Sequence, residues 1–292
     1  MVVVTRNRLP ELLVTLAHLR ALPERPRVVV VDNASSDGTA AEVRRRHPEV
    51  EVVALEENLG AAARNVGVGL LGTPYVAFSD DDSWWEPGAL RRAAELLDAH
   101  PRLALLAGRI LVGPEGREDP ICAEMRRSPL PREPDLPGPP VLGFLACASV
   151  VRREAYLSAG GFDPHVFFGG EEELLAADLA AAGWALVYVE EVVCRHHPST
   201  FRDRRRRRRL GIRNALWFAW MRRPAGVAAR QTLEVARSAL RDPDAGAALI
   251  EALGGLPRRL SSRRVLPPSV EEGLEMLDRE RGFRALGAPR AG

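Results

Sequence analysis

The chain has 292 residues, 46% of them hydrophobic and 27% charged, enough for one substantial α/β domain plus an extension. Its 41 basic residues, all arginine, nearly balance 39 acidic ones, and a net charge of +2 excludes a surface committed as a whole to nucleic acid. Cys122, Cys147 and Cys194 are widely spaced and without a CxxC, no apolar stretch approaches the roughly 20 residues of a membrane span, and the run from Met1 to Val4 is too short for a signal peptide, so a reducing cytoplasm is expected.

Four short β-branched or apolar runs open the chain: Val2 to Thr5, Val28 to Asp32, Val50 to Leu55 and Tyr75 to Ser79. Stretches compatible with helix follow the first three, among them Pro10 to Leu22 and Thr39 to His47. This β-α-β-α-β order predicts an α/β fold whose mainly parallel sheet is flanked by helices on both faces, with ligands outside the carboxyl ends of the strands. The residues ending those strands are therefore the candidates: Thr5-Arg6-Asn7, Asp32-Asn33, Glu56-Glu57-Asn58 and Asp80-Asp81-Asp82. Further on, Gly88 to His100 reads as helix, Leu103 to Val112 as strand and Ser128 to Pro140 as a proline-rich loop. An apolar stretch from Leu142 to Val151 precedes a helix near Arg153 to Ala159, the Gly160-Gly161 break, a helix from Glu171 to Ala182 and a strand from Ala185 to Val193. Beyond residue 200 the composition shifts. Arg204 to Arg209 are consecutive arginines, and Trp217, Phe218 and Trp220 lie on a helical pattern.

Five motifs carry chemistry. Val28 to Thr39 is a buried strand ending in Asp32, then a polar turn with Gly38 and a helix start that Asp37 or Thr39 can cap; Asp32 at the tip can accept hydrogen bonds from a base or ribose. The GxGxxG match at Gly67 to Gly72 is not a dinucleotide fingerprint, because its glycines precede the strand at Tyr75 and lie on the helix begun at Ala61; close packing explains them better, and Arg64 one turn earlier can reach a phosphate. Asp80, Asp81 and Asp82 sit at a strand's carboxyl end and need a counter-charge or open water. Hard divalent cations take such oxygen ligands, and an extended chain would point Asp80 and Asp82 to the same side. Trp84 and Trp85 read as packing residues. Glu171, Glu172 and Glu173 open a helix, where capping accounts for one or two of them and a general base for another. Arg195-His196-His197-Pro198-Ser199 ends a strand with adjacent imidazoles facing opposite ways, one a candidate metal ligand.

Taken in order, VVVTRNR, VVVDNASSDGT, NLGAAARNVG, FSDDDSWWEPGAL and GGFDPHVFFGGEEELLAADLAAAGW, with a histidine after the last strand, resemble the family 2 glycosyltransferases of GT-A fold over roughly residues 1–200. The resemblance implies an inverting transferase that binds a nucleotide-diphospho-sugar (UDP, dTDP or GDP linked) and Mg²⁺ or Mn²⁺. It implies a catalytic domain over residues 1–200, with a nucleotide-sugar-binding half to about residue 112 and an acceptor half from about 140 to 200, before an Arg-rich helical extension over 201–292. By that analogy Thr5, Asn7, Asp32, Arg64, Asp80 and Asp81 contact the donor, and Asp82 with His196 or His197 holds the metal and diphosphate. The family's acidic pair ends in Asp, the base; here the pair reads Glu171-Glu172, which makes Glu172 the candidate base, one methylene longer. The absence of a QxxRW motif and of following membrane spans favours single addition to a glycan, lipid-linked or small-molecule acceptor, as in cell-envelope polysaccharide assembly.

Two other classes share some of these features. A metal-dependent phosphohydrolase uses Asp and His ligands on an α/β sheet but normally needs more of them to hold two metals. A non-enzymatic module would use the arginine run and its trailing aromatics to bind anionic lipid or nucleic acid. For the transferase no nucleic acid partner is expected, whereas peripheral contact with an anionic membrane through Arg204 to Arg209, on the inner face of the cell membrane, is; a solvated charge run explains those arginines about equally well.

Overall fold

A computed structural model of the chain describes residues 1–198 and 203–280. The boundary expected near residue 200, Ser199 of the histidine motif and the last part of the extension lie outside the described residues.

The alternation of the first 80 residues is realised as β1 (Val2–Thr5), α1 (Leu9–Arg20), β2 (Val29–Asp32), α2 (Thr39–Arg46), β3 (Glu51–Ala54), α3 (Ala63–Leu70) and β4 (Tyr75–Asp80). β1 pairs in parallel with both β2 and β4, and β2 with β3. Val29, Val30 and Val31 are fully buried, as expected of a parallel strand covered on both faces, which has no solvent side on which a polar residue could alternate. Gly67 of α3 lies so close to Val2 that a Cβ there would come within 2.6 Å of its side chain, so this glycine serves helix-to-sheet packing.

The second half brings β5 (Ser83–Trp85), α4 (Ala89–Ala99), β6 (Leu103–Val112), β7 (Arg117–Glu118), α5 (Pro120–Arg126), β8 (Ser149–Arg152), α6 (Arg153–Ser158), α7 (Glu171–Ala181) and β9 (Ala185–His196). The strands join one sheet in the order β3-β2-β1-β4-β8-β6-β9-β5, with β7 hanging from β6. Here the sheet is mixed: β8 runs antiparallel to β4 and β6, β5 runs antiparallel to β9, and β6 and β9 are parallel. β5 was hidden in the sequence because a three-residue strand next to a turn carries no period, and its tryptophans read only as core. They are core as well, Trp85 being fully buried beneath the sheet edge.

The C-terminal part of the chain brings α8 (Arg204–Arg222), α9 (Ala225–Ala239), α10 (Pro243–Leu260) and α11 (Pro268–Glu280). Ile212, Leu216, Trp217 and Met221 of α8 form an apolar core with α9 and α10, and that core takes in Val166 and Leu174 from the segment around the start of α7. Buried ion pairs reinforce the seam: Arg222 to Asp178 on α7 at 2.6 Å, and Arg223 to Glu271 on α11 at 2.8 Å.

The loop from residue 159 to 170 is held against the first half of the sheet at two points. Asn65 on α3 accepts from the Tyr156 hydroxyl (2.5 Å) and the Phe162 amide (3.0 Å) and donates to the Phe162 carbonyl (2.8 Å). Five residues later the Phe167 carbonyl accepts from the Ala61 amide at 2.7 Å, over Gly60, where a Cβ would lie 2.2 Å from that carbonyl oxygen. Gly60 also has φ +61°. Gly60→Ala should therefore destabilise the fold by about 1–3 kcal/mol in urea unfolding, through overpacking and backbone strain. Gly69→Ala, on the open face of α3, should be neutral or stabilising by about 0.5–1 kcal/mol. Equal effects at the two glycines would contradict the close approach.

Candidate active site

The strand tips are stitched together before any ligand is considered. Asp32 is buried, and its Oδ1 accepts from the Ser35 amide at 3.0 Å. Asn7, held at φ +53°, donates its amide to Ser35 Oγ and accepts from the Ser36 amide at 2.7 Å, tying the loop after β1 to the loop after β2. Asn33 accepts from the Leu59 amide and donates to the Gly60 carbonyl, which fixes the turn leading into α3. These are rigid, polar loop ends at the carboxyl edge of a parallel sheet, where α/β folds bind ligands.

The acidic triplet is not extended. The chain turns at Asp81 and Asp82 between β4 and β5, so the three side chains go to different partners and the alternation expected of a strand does not apply. Asp80 pairs with Arg64 of α3. Asp81 points inward, accepting from Thr5 Oγ1 at 3.0 Å and from Arg8 at 3.0 Å, while its carbonyl accepts from Thr15. Its pKa is pushed up to about 7, chiefly by burial, with Arg8 opposing and the charges of Asp82 and Asp80 adding. Thr5 and Asp81, both expected at the donor, thus meet each other behind the strand tips. Asp82 accepts from the same Arg8 nitrogen at 3.1 Å and faces His196 Nε2 at 3.4 Å. Arg8 is the counter-charge that the triplet required. Arg8 ends the VVVTRNR stretch, but nothing in the sequence paired it with Asp81, 73 residues away.

The two histidines separate cleanly. His196 ends β9 opposite Ser83 and turns to Asp82. His197 donates its amide to the Asp82 carbonyl at 2.8 Å, and its ring tilts against Trp84, which also stacks on His18 at 4.0 Å. Burial, then the positive Arg195, lowers the His197 pKa. Among the described residues no cluster of three or more His, Cys, Asp or Glu side chains suits a metal ion.

Arg64 joins the two halves of the site. It is buried, lies over the Phe162 ring and stands in the fields of Asp80, Glu171 and Glu172; burial works against its charge, but these acids outweigh it and its pKa is raised. Glu171 and Glu172 open α7 after Phe167, Gly169 and Gly170, all at positive φ. Asn214 of α8, also buried, donates to the carbonyls of Val166, Phe168 and Gly169, so a C-terminal helix sets the conformation from which α7 starts. Glu172 Oε1 accepts from the Ala146 amide at 2.7 Å, a contact from the apolar segment before β8. A cavity of about 240 Å³, lined by Ile121, Met125, Val141, Leu142 and Leu277 among others, is bordered by none of these acids and is a separate feature.

Residues 1–158 match the family described as glycosyl transferase family 2. The chain belongs to that family. It is 31% identical over 238 residues to an N-acetylglucosaminyl-diphospho-decaprenol L-rhamnosyltransferase of Mycobacterium tuberculosis, covering 69% of this chain and 77% of the relative. It is 35% identical over 217 residues to a pre-mycofactocin glycosyltransferase of the same species, covering 69% of this chain but 43% of that longer protein. In structure it is similar to a mannosyltransferase from Pyrobaculum calidifontis solved with GDP-Man and Mn²⁺, with a TM-score of 0.57 and 21% identity over 96% of this chain and 74% of that one. The fold is thus GT-A and the family 2 protein is a glycosyltransferase.

Removing Arg8 should expose what it holds. Arg8→Gln leaves two buried carboxylates facing each other without a cation, and urea unfolding should show a loss on the order of 3 kcal/mol. A second expectation concerns Glu171, whose pKa is pushed up to about 7 from 4.5 by burial, with Arg64 opposing. Because the folded value lies above the unfolded one, the neutral carboxyl's contribution is complete below 4.5 and is lost as pH rises through about 7. Glu171→Gln should therefore gain stability relative to the unsubstituted protein as pH is raised from about 5 to about 8, and a pH-independent difference would show that Glu171 does not titrate in this window.

Proposed function

We propose that the chain transfers a hexosyl or deoxyhexosyl group from a nucleotide-diphospho-sugar, UDP, dTDP or GDP linked, to an acceptor hydroxyl with inversion at the anomeric carbon. The observation that carries this reading is the position of Arg64, bonded to Asp80 at the donor-side strand tip and within the field of Glu171 and Glu172 at the start of α7. One guanidinium thereby brings a nucleotide-binding edge and a pair of carboxylates into one site.

In this mechanism Asn7, Asp32 and Asp80 receive the nucleoside, with Arg64 orienting Asp80 and with Thr5 and Asp81 holding the turn from behind. The acceptor oxygen attacks the anomeric carbon in line as the bond from that carbon to the diphosphate oxygen breaks. Glu172 takes the acceptor's proton, one of its oxygens oriented by the Ala146 amide. Buried Asp82 and half-buried His196, facing each other at 3.4 Å, fit a divalent cation if donor phosphates complete its shell, which is how Mg²⁺ is usually held through few protein ligands. When bound, Mg²⁺ or Mn²⁺ would neutralise charge building on the departing diphosphate. We assign catalysis to residues 1–200 and a buttressing role to the helices beyond. The name of the rhamnosyltransferase relative supports a lipid-linked acceptor, and the mannosyltransferase solved with GDP-Man and Mn²⁺ supports the donor class.

Two measurements test this. A panel of UDP-, GDP- and dTDP-sugars should include one that raises the thermal midpoint, more so with Mn²⁺, since a ligand of the folded state must stabilise it. Glu172→Gln should lower kcat by about 10²–10⁴-fold with that donor's affinity almost unchanged. Lost donor binding with retained turnover would remove Glu172 from the role of base.

A further inference from the structure

The arginine run at the start of α8 does not face outward as a block. Arg205 pairs with Asp244 at 2.6 Å, Arg208 with Asp242 and Arg209 with Glu251 at 2.9 Å, while Arg207 lies over Phe168. The acids that start and line α10 are therefore consumed by α8. What α9 and α10 leave to solvent is of a different kind. On α10, Ile250, Leu253, Pro257 and Leu260 are exposed and fall on one side of the helix at a spacing of three to four residues, with Ile250 73% accessible. On α9 and the turn after it, Leu233 and Leu240 are exposed, the latter 85% accessible. Arg230, Arg237 and Arg241 lie on the same helix and turn as those leucines, and Arg258 follows Pro257 on α10; all four are exposed and without an ion pair among the described residues.

We propose that the solvent faces of α9 and α10 form a docking surface for an anionic lipid bilayer. Large exposed apolar side chains on the same helices as unneutralised arginines suit the boundary between acyl chains and phosphate headgroups, where the apolar residues leave water and each cation meets negative charge. The same charge disfavours a second copy of the chain, because a two-fold contact would set these arginines against their own images. The surface is coupled to the site: α9 and α10 pack on α8, whose Asn214 holds the carbonyls that precede Glu171. The inference rests on the exposed faces alone and not on any assignment of donor or acceptor.

Flotation of the whole protein with vesicles of phosphatidylglycerol and phosphatidylcholine, against phosphatidylcholine alone, tests it. The protein should float with the anionic vesicles and not with the neutral ones. Combined Arg230→Ser, Arg237→Ser and Arg241→Ser should weaken that partitioning on the order of a hundredfold. Ile250→Ser with Leu253→Ser should weaken it at least about tenfold. Both variants should keep the thermal midpoint, since the side chains are exposed. Failure to float with anionic vesicles, equal flotation with neutral ones, or undiminished flotation of either variant would overturn the proposal. So would a dimer in gel filtration that these variants dissolve while vesicles are ignored, an outcome that gives the face to a second copy.

Discussion

Three carboxylates at the end of a buried strand repel one another, and two of them, Asp81 and Asp82, are themselves buried. The structure answers with two guanidiniums from two different elements. Arg8, at the start of α1, takes Asp81 and Asp82 through one nitrogen, and Arg64, on α3, takes Asp80. Asp81 is turned into the protein, where burial above all pushes its pKa up to about 7. Asp82 is also buried, between Arg8 and His196, and only Asp80, beside Arg64, keeps a partly exposed side chain. The rest of the site depends on this division of three like charges between two cations.

The same economy governs the other side of the cleft. Glu171 and Glu172 start α7 where the helix dipole favours negative charge, yet the loop leading there runs through residues at positive φ that would not adopt such a path unaided. Its carbonyls are met from two directions, by the Ala61 amide above the glycine at position 60 and by Asn214 from α8. The C-terminal helices are therefore part of what holds the acidic helix start, and their core includes Val166 and Leu174 for that reason.

Much of this was legible beforehand, and the legible part has a common character. β6 runs from Leu103 to Val112 as the apolar run indicates, and α7 starts at Glu171 immediately after the Gly169-Gly170 pair. The glycines of the GxGxxG match lie on or just beyond α3, before β4, one of them pressed against Val2. The antiparallel strands were not visible, because strand direction within a sheet leaves no trace in the hydrophobic period. Arg8, Asn65 and Asn214 were given no role either. Each is a single polar residue within an ordinary stretch, and each acquires its role only from a partner supplied by another element.

The sequence alone determined where most of the longer strands and helices form and which polar residues end the strands, since periodicity, glycine breaks and runs of like charge act over a few neighbouring residues. Tertiary structure decided which of those residues meet: that His196 and not His197 turns to Asp82, that Thr5 faces Asp81, and that three arginines of the basic run are spent on α10. Charges and hydrogen bonds are satisfied by whatever the packed sheet brings within about 3 Å, and that neighbour lies tens of residues away along the chain.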